Sequence, residues 1–233
     1  MQFENETLEA VILRRYKRFL SDVKLANGQI ITAHIANTGS MESCWGPNWK
    51  VLLTKSNNPK RKLSHSLELT HNGVSWIGIN TSRTNAIAHE AISKGIIPEL
   101  DDYQKITREV TIGKSRIDLL LEKQNEKCYV EVKNVTLKSN DGIARFPDSV
   151  SERGVKHLEE LIGIKEDGHR AVMLFIIQRE DIEIFAPAYI IDPVYSLMLK
   201  MAQESGVEIL AYQCKMSSKE IVVNKKTPVV FEI

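Results

Sequence analysis

The chain has 233 residues, 42% hydrophobic and 26% charged, with a net charge of +1. That balance excludes a disordered or generally basic chain and leaves room for one large or two modest globular domains, of which two is the better reading. No apolar run approaches the roughly 18 residues of a membrane span and the first residues lack a leader pattern, so a cytoplasmic protein with no membrane partner is expected. Three widely spaced cysteines, Cys44, Cys128 and Cys214, suit packed thiols better than a disulfide framework or zinc knuckle.

Residues 1–80 are predicted to form an all-β, OB-fold-like barrel. Short apolar stretches at 19–23, 30–33 and 50–53 are separated by Asn-Gly, Gly-Ser and Asn-Asn-Pro, about five strands with no long helical period. Charge is concentrated here: residues 1–70 hold ten Lys/Arg against six Asp/Glu, the remainder 21 against 24. The densest basic clusters are Arg14, Arg15, Tyr16, Lys17 and Arg18, and Lys60, Arg61 and Lys62. Several cations on one surface attract phosphates and Tyr16 could stack on a base, which makes these the candidate DNA-binding residues; a solubilising patch is the plainer alternative.

Residues 81–233 are predicted to form an α/β domain on a mixed sheet. Asn85 is placed as the cap of a helix to Lys94, with Ile87, Ala88, Ala91 and Ile92 as its apolar stripe. Strands at 107–112, 116–122 and 127–135 follow. Ser149-Val-Ser-Glu152 has capping-box spacing and opens a helix to about Ile162. A buried strand at 171–178, a helix from Pro193 to near Gly206 and a strand at 207–213 complete the order.

Two of these strands carry charge among apolar residues. Asp118 interrupts Ser115-Arg-Ile-Asp-Leu-Leu-Leu121, and Glu131 and Lys133, on one face, interrupt Cys128-Tyr-Val-Glu-Val-Lys-Asn134. A hairpin symmetric about the turn at Gln124 and Asn125 sets Asp118 opposite Glu131. Carboxylates opposed at about 5 Å repel unless a proton or cation intervenes, and Mg²⁺ (or Mn²⁺) suits two hard oxygen ligands. A metal that polarises phosphate, with Lys133 orienting a nucleophile, is the equipment of phosphodiester hydrolysis. Glu90, on the preceding helix, is a candidate further ligand. The competing reading is a half-buried salt bridge. Arg153, Lys156 and His157 share or adjoin one face of the next helix and are candidate accessory residues, a helix-cap network being the alternative. No G-x-G-x-x-G, Walker-type loop, G-x-S-x-G or H-E-x-x-H pattern occurs.

The chain resembles the sugar fermentation stimulation (SfsA) family. The resemblance is carried by Arg15-Tyr-Lys-Arg-Phe-Leu20 with Asp22-Val23, Ala33-His34 with Asn37-Thr-Gly-Ser-Met41, and Arg61-Lys-Leu63 in the first part. Beyond these come Ser115-Arg-Ile-Asp118, Glu131-Val-Lys-Asn-Val-Thr-Leu137, Arg145-Phe-Pro-Asp148, Arg153-Gly and Lys156-His-Leu158. The resemblance implies an N-terminal OB-fold and a C-terminal domain like the PD-(D/E)XK nucleases, whose motif falls on Asp118, Glu131 and Lys133. Ile117 stands where that motif's name has proline, and Trp49 where a small residue is expected. DNA binding and a link to regulation of sugar (maltose) metabolism are further implications. A DNA-binding regulator with a silent nuclease fold is the alternative, and the oligomeric state, homo-oligomers included, is not specified.

Overall fold

A computed structural model of the protein describes residues 1–112 and 115–231, with the backbone alone at Ser115. The first 80 residues supply β1 (Thr7–Tyr16), β2 (Leu20–Leu25), β3 (Ile30–His34), β4 (Lys50–Lys55), β5 (His65–His71) and β6 (Trp76–Gly78). Their order is β3-β2-β1-β4-β5-β6, and a parallel bridge from His34 to Ser66 closes β3 onto β5, giving a five-stranded barrel with β6 added outside β5. Alternation fills it. Ala10 and Ile12 of β1, Val23 of β2, Ala33 of β3, Val51 and Leu53 of β4 and Leu67 of β5 form one core.

β1 is longer than the sequence pattern suggests, because its last residues are the basic cluster itself. Arg14 and Tyr16 turn outward to Asp22 of β2, and Lys17 and Arg18 make the tight turn with positive φ of 50° and 63°. Arg15 holds this end together by donating to the backbone carbonyls of Arg18, Gly39 and Ser40. Trp49 lies against Gly46, where a Cβ would sit 2.7 Å from its indole nitrogen, so the bulky residue is seated over a position without a side chain.

The rest of the chain forms α1 (Thr84–Ser93), β7 (Lys105–Ile112), β8 (Ser115–Lys123), β9 (Glu126–Val135), β10 (Leu137–Lys138), β11 (Ala144–Phe146), α2 (Glu152–Glu166), β12 (Arg170–Ile177), β13 (Phe185–Pro187), α3 (Pro193–Glu204), β14 (Glu208–Met216) and β15 (Ile221–Lys226). Six of these strands make a mixed sheet ordered β15-β14-β12-β9-β8-β7, parallel from β9 through β12 to β14 and antiparallel outside them. β10, β11 and β13 form a small second sheet. The helices cover both faces. α1 packs Ile87, Ala88, Ala91 and Ile92 on Leu119, Val130 and Val172, while α2 and α3 bring Leu158, Leu161, Tyr195 and Leu199 to Met173 and Phe175. β12 is therefore buried on both faces, which is why it reads as an unbroken apolar run.

Two helix starts differ from expectation. α1 begins at Thr84 with Arg83 before it, and the Asn85 side chain makes no cap because it reaches across to Asp118. α2 is capped by Ser151, whose Oγ accepts from Gly154 N, so the Ser149 box lies two residues too early, and the helix continues to Glu166. β10, β11, β13 and β15 carry too little apolar periodicity to be anticipated. All three cysteines are buried and free. Among the described residues no helix is long and apolar enough to cross a membrane.

The barrel and the mixed sheet share packing. Leu52 and Leu69 turn out of the barrel into the α1 side of the second core. Glu68, fully buried, accepts from Thr54, Asn80 and Arg83, so the residue ahead of α1 is ion-paired to a barrel strand.

Candidate functional site

The β8–β9 hairpin has the register expected from its midpoint: pairs run from Lys123↔Glu126 to Leu119↔Val130, with Gln124 and Asn125 in the turn. The ladder stops there, so Asp118 and Glu131 are not the directly opposed pair that the hairpin's symmetry predicts. Here the Asp118 carboxylate itself reaches across: Oδ2 accepts from Val132 N at 2.9 Å and Oδ1 from Asn85 Nδ2 at 2.7 Å. Asp118 is thus fixed to the backbone of β9 and to α1 together.

Glu131 is 2% exposed. Its Oε1 accepts from Lys133 Nζ at 2.8 Å and makes a short contact with His157 Nδ1 of α2. On the other side of the imidazole, Arg153 Nε lies 3.2 Å from Nε2. A guanidinium only donates, so Nε2 is the acceptor and Nδ1 carries the hydrogen given to Glu131. Lys133 Nζ sits 2.9 Å from the same Nδ1, and both donors converge on one carboxylate oxygen. The second oxygen, Oε2, is buried with no hydrogen-bond partner.

The two carboxylates are pushed in opposite directions. Burial, then the charge of Glu131, raises Asp118 above the usual carboxylate range, outweighing the bonds from Val132 and Asn85. Burial also acts to raise Glu131, but the hydrogen bond from His157 and the charge and hydrogen bond of Lys133 prevail and hold it low. One acid is ionised and pinned while its neighbour resists ionisation, a division typical of working carboxylate pairs and one that a cation would relieve. The unpaired Oε2 and the Asp118 carboxyl raised by its neighbour's charge are the observations that fit a divalent ion. Among the described residues no group of three or more His, Cys, Asp or Glu is arranged to hold a metal. Two carboxylates are enough for Mg²⁺, which keeps several waters and takes substrate phosphate oxygens as further ligands.

Glu90 does not join this site. Its carboxylate meets the Met1 amino group at 3.0 Å and bonds Lys94, in a hollow beside Ile221 and Val223 of β15. The helix explains this: five residues at 3.6 per turn rotate Glu90 about 140° from Asn85, the α1 residue that does reach Asp118. Of the accessory candidates, His157 and Arg153 belong to the network, whereas Lys156 is exposed. Sequence reasoning missed Asn85 as a site residue because its amide suited a cap equally well. It also missed Tyr195, whose fully buried hydroxyl has no partner and is pushed well up by burial, then by the charges of Glu131 and Asp192.

The basic clusters meet at one end of the barrel. Arg61 donates to Ser66, which pairs with His34, and Ile35 N bonds Phe19 O beside the turn holding Lys17 and Arg18. Arg14 is paired with Asp22 and stacked 5.0 Å over Tyr16, and Arg15 is spent on backbone carbonyls. Lys17, Arg18, Lys60 and Lys62 remain exposed on this surface.

The structure defines a two-domain class, an OB barrel whose basic end adjoins an α/β domain with a buried carboxylate, lysine and histidine cluster. The chain belongs to the sugar fermentation stimulation protein family: residues 13–79 match the SfsA N-terminal OB domain and residues 82–220 the sugar fermentation stimulation protein RE domain. A sugar fermentation stimulation protein homolog of Citrifermentans bemidjiense is 49% identical over 231 residues, covering 99% of this chain and all of the relative. One from Shewanella baltica is 50% identical over 225 residues, 95% of this chain and 96% of the relative. Among solved structures, Pyrococcus furiosus SfsA in complex with Ca²⁺ superposes with a TM-score of 0.88 at 31% identity, over 99% of this chain and 98% of that one.

Proposed function

We propose that the protein binds DNA at the basic end of its barrel and hydrolyses phosphodiester bonds at a divalent-cation site formed by Asp118 and Glu131, in a domain of PD-(D/E)XK type. The observation that carries this reading is the buried Glu131, with Oε2 unpartnered, beside an Asp118 raised by the same charge. The complex of Pyrococcus furiosus SfsA with Ca²⁺ supports a hard divalent ion in a related fold.

Each side chain has a task. Val132 N and Asn85 aim the Asp118 carboxylate, and His157, its tautomer set by Arg153, orients Glu131. Lys133 is held beside both by its bond to Glu131, where its ammonium can orient a water or meet charge developing on phosphate. A bound Mg²⁺ or Mn²⁺ would supply Lewis acidity toward a phosphate oxygen and lower the pKa of its water. Purified protein incubated with single- and double-stranded DNA should cleave only with Mg²⁺ or Mn²⁺. Lys133→Ala should lower cleavage by at least about a hundredfold, the scale of one acid–base or charge-stabilising group. Metal-independent cleavage, or full activity in Lys133→Ala, would sink the mechanism.

One observation favours a second reading, a DNA-binding regulator of sugar fermentation genes that does not cut. Lys133 already pairs with Glu131 at Oε1 and His157 donates to the same oxygen, as in a structural polar cluster. On that reading salt-dependent DNA binding persists and no strand breaks appear with any divalent ion.

A further inference from the structure

Between the barrel and the α/β domain lies a cleft of about 260 Å³, below the size that holds a whole drug-like ligand. Phe146 lines it, and its ring packs 5.3 Å from that of Tyr195, the buried phenol that feels the charge of Glu131. Asn134 lines it from the face of β9 opposite Lys133.

The polar groups lining it are unusual for being unspent. Asn37 is 6% exposed and Thr136 7%, yet among the described residues nothing takes the Nδ2 hydrogens of Asn37 or Asn134 or the hydroxyl of Thr136. Asn37 Oδ1 is occupied by Gly39 N and Asn134 Oδ1 by Thr84 and Gln178, so in both amides the donor end is the free one. Asp148 contributes an acceptor that receives no hydrogen bond from a described residue. A Cβ on Gly39 would lie 2.4 Å from Asp148 Oδ2 and 3.1 Å from Asn37 Oδ1, so carboxylate and amide sit side by side only because residue 39 is glycine. These polar atoms are open to solvent in the cleft, so a ligand can take them up without breaking a hydrogen bond within the protein.

The lining also says what the ligand is not. Arg145, the cation there, is taken up by Ser139, Asp141 and the Pro187 carbonyl, and the Asp148 carboxylate repels a phosphate. An uncharged group that both donates and accepts at adjacent atoms fits a carboxylate next to an amide, and vicinal sugar hydroxyls are such a group.

We propose that this cleft binds a sugar ring through vicinal hydroxyls, Asp148 accepting from them and Asn37 and Asn134 donating to them, with Phe146 as the apolar floor. Such a ring is the 3′-terminal ribose of an RNA strand, the one nucleotide whose 2′- and 3′-hydroxyls are both free, which extends the substrate class to RNA through its 2′-hydroxyl. The assignment of ribose rests on the proposed function; the hydroxyl-binding chemistry of the cleft does not.

The test is binding in EDTA, so that no cleavage intervenes. Fluorescence anisotropy with 5′-labelled single-stranded RNA and DNA of one sequence, each with a free 3′ end, would be read for the unmodified protein, Asp148→Ala and Asp148→Asn, alongside calorimetric titration with free D-ribose. RNA should bind about tenfold tighter than DNA, the worth of one hydrogen bond to a charged acceptor, and both variants should bring RNA down to the DNA value. Sugar binding lost in the variants, without any oligonucleotide binding, would support the hydroxyl cleft with free sugar as its ligand and overturn the nucleic-acid reading. Equal RNA and DNA affinities with no sugar binding, in a protein that cleaves DNA with Mg²⁺, would overturn the cleft assignment and leave the phosphodiesterase reading standing. Circular dichroism of both variants separates these results from misfolding.

Discussion

At the scale of single residues, Glu131 concentrates the chemistry of the second domain. Its Oε1 is saturated by Lys133 and His157 while Oε2 is buried and empty-handed, an imbalance that costs stability unless something arrives to use it. The expected consequence is thermal. A saturating divalent ion, near a hundred times its Kd, stabilises a folded state by about 2.7 kcal/mol, which in a chain of this size is a rise in Tm of roughly 5–10 °C. Differential scanning fluorimetry with Ca²⁺ or Mg²⁺ should show this rise, and Glu131→Gln should lose most of it. An equal rise in that variant would place the cation elsewhere. The three charges were legible as a site because burying them among Val, Leu and Ile is otherwise unfavourable. Glu90 was misplaced, since an acidic residue beside an apolar stripe looks the same whether it faces the sheet or the N-terminus.

At the scale of elements, helix α2 is what delivers His157, and its seating depends on a glycine. A Cβ at Gly154 would lie 2.8 Å from Ser151 Oγ and 2.9 Å from the Tyr195 ring, contacts with the cap and with a fully buried side chain. Alanine is the better helix former by about 1 kcal/mol, yet overpacking here should cost about 1–3 kcal/mol. Gly154→Ala should therefore lower the denaturant midpoint in urea unfolding and also weaken any cation-dependent activity by displacing His157. A more stable variant would show that α2 can shift freely. The cap of this helix was placed two residues early because Ser149 and Ser151 are both competent caps, and the choice is made by Asp192, whose Oδ2 accepts from Ser151 N. That contact spans 41 residues of sequence.

At the scale of the whole molecule, the two domains are joined by buried polar contacts as well as by apolar packing. Arg179, 1% exposed, donates to Ser43 of the barrel, to the Thr136 carbonyl and to Asp181. Burial acts against the Asp181 carboxyl, but the bonds and charges of Arg179 and Lys138 hold it far below its ordinary value. A carboxyl depressed in the folded state stabilises above its unfolded pKa of 3.8 and loses that contribution as pH falls below it. Asp181→Asn should accordingly lower Tm by several degrees at pH 7, with the gap to the unmodified protein shrinking as pH drops below about 4. A gap independent of pH would mean that the asparagine fails by packing and not by charge.

By itself the sequence determined the local structure and the inventory of charges. Alternating apolar residues and turn signals specified the β2, β3 and β4 strands of the barrel, an unbroken apolar run specified β12, and the symmetry of one hairpin brought Asp118 toward Glu131, since period and turn chemistry act over a few neighbouring residues. Only the tertiary structure decided which neighbours those charges have. It sent Asn85 to Asp118 and Glu90 to Met1, brought His157 from α2 onto Glu131, and left Asn37, Thr136 and Asp148 facing one cleft. Each of these depends on how helices and barrel dock on the sheet, and docking follows from the summed packing of residues far apart in the chain, which no local pattern records.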